Sequence, residues 1–136
     1  MDEVPITRGS AEEANRDAQR MTPGGKPYDL KERTFLFARR VIKIVRGIPL
    51  TPEGEEIRSQ FADSGTGIGA NVEEADAALT RKERRQYFGI ARRCCGETRF
   101  WLRLLEADFP QVGPVRDDLR EVEELIRILS ALVSKL

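Results

Sequence analysis

The sequence predicts an all-α protein, an antiparallel up-down-up-down four-helix bundle, and three observations carry that reading. Apolar residues recur at intervals of three and four through four long stretches. Proline, glycine or an N-capping residue separates those stretches, so the connections are short and neighbouring helices run antiparallel. Nowhere does the chain alternate apolar and polar residues in the manner of a half-buried strand. The bundle is assigned to residues 28–136 and a preceding extension to 1–27.

Within the extension, residues 10–20 have the composition of a short polar helix, and Thr22 to Pro27 is a breaker rich in proline and glycine. The first bundle helix is expected from Asp29, a good N-cap, to about Gly47. Its inner face is Leu30, Phe37, Ala38, Val41, Ile44, Val45 and Ile48, with Phe35 and Ile42 widening one edge. Thr51 and Pro52 supply an N-cap and a first-turn proline for the second helix, which runs to about Ala78. Thr80 with Glu83 forms a capping box for the third, expected to reach about Ala107 with Tyr87, Ala91, Cys94, Thr98, Trp101 and Leu105 inward. After a loop from Asp108 to Pro114, the fourth carries Val115, Leu119, Val122, Ile126, Leu129 and Val133 to the C-terminus.

The second helix holds Gly65, Gly67 and Gly69 within an apolar period formed by Ile57, Phe61, Ile68, Val72 and Ala75. Each interior glycine costs about 1 kcal/mol relative to alanine, so a helix kept through all three is expected where another helix comes closest. Gly65 to Ala70 also looks like a glycine-rich phosphate loop, but such a loop needs a strand upstream and a following lysine or a distal acidic residue. The residues from Glu55 to Asp63 are helical in pattern, and neither partner is present.

A 136-residue chain with Lys+Arg and Asp+Glu balanced at 23 each reads as one domain with no net pull toward a polyanion. No apolar run approaches the roughly 20 residues of a membrane span and no signal-peptide core follows Met1, so a cytoplasmic protein without membrane contact is expected. Cys94 and Cys95 are adjacent, which disfavours a disulfide between them, and they read as small buried hydrophobes. Histidine is absent, which removes the commonest general base and the Glu-x-x-His ligand pairs of bundle metalloenzymes. Glu55, Glu56, Asp63, Glu73 and Glu74 remain the carboxylates to weigh for a metal. No catalytic residue, cofactor, metal or small-molecule substrate is expected, and the chain is not read as an enzyme.

Charge is segregated by helix. Residues 26–46 carry seven basic and two acidic side chains, 51–79 one and seven, 81–103 eight and two, 106–128 three and seven. Pairing of oppositely charged neighbours inside the bundle is one explanation. A basic face for nucleic acid is the other, because Arg81, Arg85, Arg92, Arg99 and Arg103 fall within about a 40° arc of the third helix. Arginine forks suit phosphate, and Arg39, Arg40, Lys43 and Arg46 of the first helix form a second basic set. Apolar residues exceed what one seam needs: Phe88, Cys95 and Leu102 on the third helix, Leu125, Ile128 and Leu132 on the fourth. These six are the candidate surface for homo-oligomerisation.

On these residues the chain resembles the bacterial four-helix bundle proteins of the ribosomal intervening-sequence family. The family segment Arg-Ser-Gly-Thr-Ser-Ile-Gly-Ala-Asn, followed by a Glu-Glu or Ala-Glu pair, has its counterpart in Asp63-Ser-Gly-Thr-Gly-Ile-Gly-Ala-Asn-Val-Glu-Glu74. A small-residue stretch followed by Glu-Thr-x-x-Trp-Leu-x-Leu-Leu appears between Ala91 and Leu105. Asn71 and Glu74 match; Asp63 stands where arginine is usual and Gly67 where serine is usual. The resemblance spans about residues 28–135 and implies a ring-shaped homopentamer without catalytic activity, associated with RNA or an RNA-handling protein. Relatives include proteins encoded within ribosomal RNA intervening sequences and accessory subunits of reverse transcriptases. The expected function is therefore an RNA-associated adaptor or accessory subunit, with a protein-binding scaffold that uses its charges for assembly alone as the alternative.

Overall fold

The computed structural model describes residues 29–136, and the stretch assigned as an extension, 1–27, lies outside them. Four helices account for most of the described chain: α1 (Leu30–Val45), α2 (Pro52–Ala77), α3 (Arg81–Asp108) and α4 (Arg116–Lys135). A short 3-10 turn, Pro110–Val112, lies in the last loop, and no strand occurs among the described residues. Each helix packs on its neighbours in sequence and α4 closes against α1, which leaves α1 and α3 at opposite corners.

The caps fall where the sequence places them. Asp29 Oδ1 accepts from Glu32 N at 2.7 Å, and Thr51 Oγ1 accepts from Gly54 N at 3.1 Å. Thr80 Oγ1 accepts from Glu83 N at 3.1 Å, while the Glu83 carboxylate accepts from Leu79 N at 3.0 Å, one residue before the cap itself. Each such cap contributes about 1 kcal/mol by satisfying an orphan amide. At the other termini, α1 stops at Val45, two residues short of expectation, and Gly113 turns the chain toward α4 with φ 83°.

α2 stays helical through its glycines, and the reason is visible in its neighbours. A Cβ at Gly65 would lie 2.7 Å from both methyl carbons of Val41 on α1. One at Gly69 would lie 3.3 Å from the Thr34 carbonyl oxygen, and one at Gly67 3.2 Å from Cys94 Sγ on α3. Both companions of α2 thus use the missing side chains to approach its backbone. Beside them, the buried hydroxyls of Ser64 and Thr98 hydrogen-bond at 3.0 Å across the α2–α3 seam. A phosphate loop is thereby ruled out at these glycines, because their amides are spent within the helix.

Two inward faces differ from the expected ones. On α3 the buried residues are Arg84, Phe88, Ala91, Cys95, Thr98, Leu102 and Leu105, with Tyr87, Cys94 and Trp101 only half-buried. On α4, Leu125, Ile128 and Leu132 join Leu119, Val122 and Leu129 inside, and Ile126 and Val133 move to the edge. α3 lies against both α2 and α4, so it has two seams to fill and buries a wider face than a single stripe. Along α1 the expectation fails at one edge, where Phe35 is 56% and Ile42 36% exposed. Arg33 and Thr34 are buried instead. Arg33 achieves this through a bidentate pair with Glu121 on α4, at 2.7 and 2.8 Å.

Candidate nucleic-acid interface

α3 carries five of its arginines on one exposed flank, beside the residues that fill its two seams. Arg81, Arg85, Arg92, Arg99 and Arg103 are all exposed. At 1.5 Å per residue the row spans roughly 33 Å from end to end. It lies on the side toward α4, where Arg92 Nε donates to Ser130 Oγ at 2.6 Å. Among the described residues Arg81, Arg85, Arg99 and Arg103 have no ion-pair partner, although the acidic α2 packs against the same helix. The inter-helix ion pairs of the described residues include Lys31–Asp76, Arg33–Glu121, Arg40–Asp118 and Arg116–Glu106. Pairing of charge across the α2–α3 seam is thus not how the structure uses this row.

The second basic set is divided. Arg40 Nε bonds Asp118 at 2.8 Å and its guanidinium lies 5.5 Å over the Phe37 ring. Lys43 lines an open groove of about 920 Å³ between α1 and α4 that also contains Asp117, Asp118, Glu121 and Glu124. Arg40, Arg120 and Arg127 line it too, and with Glu123 the five carboxylates offset the four basic groups, so the groove has no net positive charge to hold a polyanion. Arg39 and Arg46 remain exposed on α1 without an ion pair among the described residues, at the corner opposite α3. One straight nucleic-acid segment cannot lie along both sets.

All six candidate oligomer-interface residues require correction. Phe88, Cys95, Leu102, Leu125, Ile128 and Leu132 are each at most 3% exposed within a single protomer. They are the core of the bundle and have no area left for a second copy. Each large one contributes roughly 1.5–3 kcal/mol through burial. Burial also drives the Cys95 thiol far above its usual range, and raises that of the half-buried Cys94 to a lesser degree. Both cysteines are free.

Arg84 escaped the sequence reading. It is 4% exposed, its guanidinium sits 5.1 Å over the Phe88 ring, and Nε is buried without a hydrogen-bond partner. Desolvation lowers its pKa. The signal was its helical phase, since Arg84 shares a face with Phe88, Ala91 and Cys95 rather than with the exposed arginines. Asn71, at the rim of the α2 seam, donates from Nδ2 to the Gly67 carbonyl at 2.8 Å, a packing role within its own helix. Among the described residues no three carboxylates or thiols gather to hold a metal ion, so Glu55, Glu56, Asp63, Glu73 and Glu74 do not form such a site.

A four-helix protomer with one unpaired arginine flank defines a class of helical bundle proteins, and comparison with known proteins narrows it. The model of the 23S rRNA-intervening sequence protein family matches residues 26–131, and the chain belongs to that family. A solved structure of a protein of unknown function from the S23 ribosomal protein family of Bacteroides thetaiotaomicron is similar, with 25% sequence identity and a TM-score of 0.66. That similarity covers 76% of this chain and 96% of the other. No curated protein matches. No helix among the described residues is long and apolar enough to cross a membrane.

Proposed function

We propose that this chain is a non-enzymatic, homo-oligomeric adaptor that associates with RNA through the arginine flank of α3. One observation carries the proposal: four exposed arginines along one helix lack ion-pair partners among the described residues while an acidic helix lies alongside. Held over roughly 33 Å, such a row suits the spacing of a phosphate backbone and attracts it by counterion release. Membership of a family named for an intervening sequence of 23S rRNA supports the same polyanion.

Replacing Arg99 and Arg103 together with alanine is expected to weaken binding of a mixed-sequence single-stranded RNA. It should also reduce the salt slope by about 1.4, two phosphate contacts at roughly 0.7 each. Replacing Arg39 and Arg46 should change binding less, because they stand at the opposite corner. The scaffold alternative draws support from Arg40–Asp118 and Arg33–Glu121, where charge holds two helices of the bundle together. If the Arg99 and Arg103 changes alter particle mass and leave RNA affinity untouched, that alternative is the correct one.

A further inference from the structure

Two glycines of α3 have no explanation inside the protomer. A Cβ at Gly89 or at Gly96 would meet nothing within 4 Å among the described residues, unlike those at Gly65, Gly67 and Gly69. Each still costs about 1 kcal/mol of helix stability. They are seven residues apart, so they share one face and lie about 10.5 Å from each other along the axis. Phe100, 55% exposed, lies on the same side, one turn beyond Gly96. Arg93, also exposed there, has no ion pair.

The opposite corner of the molecule presents the converse shape. Phe35 and Ile42 protrude from α1, also seven residues and about 10.5 Å apart. Beside them a shallow groove between α1 and α2 is lined by Ile42, Ser59, Gln60, Ala62, Asp63 and Thr66. Glu55, Asp63 and Glu73 on the outer side of α2 carry no ion pair, which complements Arg93.

The heights agree as well. Val41 meets Gly65, and Thr98 bonds Ser64, so residues 41 and 98 stand nearly level on either side of α2. Ile42 and Gly96 are then within about 3 Å along the bundle axis, as are Phe35 and Gly89. α1 and α3 run in the same direction, so two copies side by side with parallel axes bring both pairs into register.

From this we infer that the α1–α2 face of one copy docks on the glycine face of α3 in a second copy, Phe35 and Ile42 entering at Gly89 and Gly96. Phe100 then lies toward the groove beside Ile42, and Arg93 toward the carboxylates of α2. The contact is heterologous, joining opposite corners of the protomer, and it closes into a ring or extends as a filament according to its angle. Arg85 and Arg103 border the docked face, about 20–40° around α3 from the two glycines, and Arg81, Arg92 and Arg99 lie farther toward α4. This inference rests on the homo-oligomeric reading above and names the surfaces that reading requires.

The test uses two variants of the full chain, each neutral in charge. Gly89→Gln with Gly96→Gln fills the notches, and Phe35→Gln with Ile42→Gln removes the protrusions; unchanged helical circular dichroism establishes folding. By light scattering, wild type should exceed the 15.4 kDa protomer and each variant alone should fall to it. Mixed together, the two variants should form a one-to-one dimer, since each retains the face the other lacks. Variants that keep the wild-type mass overturn the face assignment and leave self-association intact. A mixture that stays at protomer mass, or loss of RNA binding by the notch variant without change in mass, also overturns it. Wild type at protomer mass at every concentration overturns self-association itself.

Discussion

Alanine at Gly65 and alanine at Gly96 should move the stability of the bundle in opposite directions. Both substitutions gain about 1 kcal/mol from helix propensity and from a less flexible unfolded chain. At Gly96 nothing opposes the gain, because the added methyl meets no atom within 4 Å. At Gly65 the methyl falls 2.7 Å from both Val41 γ-carbons and 3.1 Å from its Cβ. A β-branched side chain facing the helix with both methyls cannot rotate one away without bringing another in. Overpacking of that kind costs about 1–3 kcal/mol, so the net change at Gly65 is a loss of about 1 kcal/mol. The two variants should therefore differ by about 2 kcal/mol in urea unfolding, measured at a concentration where the protomer mass prevails. Val41→Ala alone should cost about 2–3 kcal/mol, and combined with Gly65→Ala it should cost less than the sum, because the new methyl occupies the vacated space. Equal stabilisation at Gly65 and Gly96, or strict additivity with Val41→Ala, would refute the close approach of α1 to α2.

Removing either partner of Arg33–Glu121 should cost about 3–5 kcal/mol by leaving a buried charge uncompensated, whereas Arg33→Met with Glu121→Leu should be nearly neutral; thermal unfolding of the three variants checks this. Arg84→Met should leave the protein as stable or raise its stability by about 1 kcal/mol, since it removes a buried donor that bonds nothing, and denaturant midpoints will show it. The Cys95 thiol is held neutral by burial, its pKa in the folded protein lying well above the ordinary thiol value of 9.0. Its contribution is thus complete below that value and is lost as pH rises above it, by about 1.4 kcal/mol per pH unit. Between pH 9 and pH 10, where the unfolded thiol is only beginning to ionise, wild type should lose about 1 kcal/mol more than Cys95→Ala, and equal losses would contradict it.

The helices, their caps and the glycine rule on α2 were legible in the sequence because each depends on local spacing. Thr51, Thr80 and Asp29 cap their own helices, and three interior glycines persist only where backbones meet. Which stripe of α3 faces inward was not legible. Phe88 and Tyr87 are adjacent and both apolar in pattern, and the choice between them depends on where α2 and α4 stand relative to α3. The surplus apolar residues therefore looked like an interface when they were the second seam. Arg33 was hidden for a related reason: its burial is licensed by Glu121, 88 residues away. Of the site, the α3 arginine row could be read from helical phase, but its lack of partners could not, because ion pairing is settled by tertiary geometry. Gly89 and Gly96 were visible beside that row, yet only the empty space around them distinguishes them from Gly65 and Gly69.

The central claim is that α3 holds its arginines unpaired for an external phosphate backbone. The salt dependence of single-stranded RNA binding by the full chain tests it most directly, followed by fluorescence anisotropy from low to physiological ionic strength. Five arginines at roughly 0.7 per phosphate predict a log–log slope of about −3.5 per protomer contact, lowered in steps as Arg81, Arg85, Arg92, Arg99 and Arg103 are removed. Absence of binding at low salt, or a slope that the loss of these arginines leaves unchanged, would contradict it.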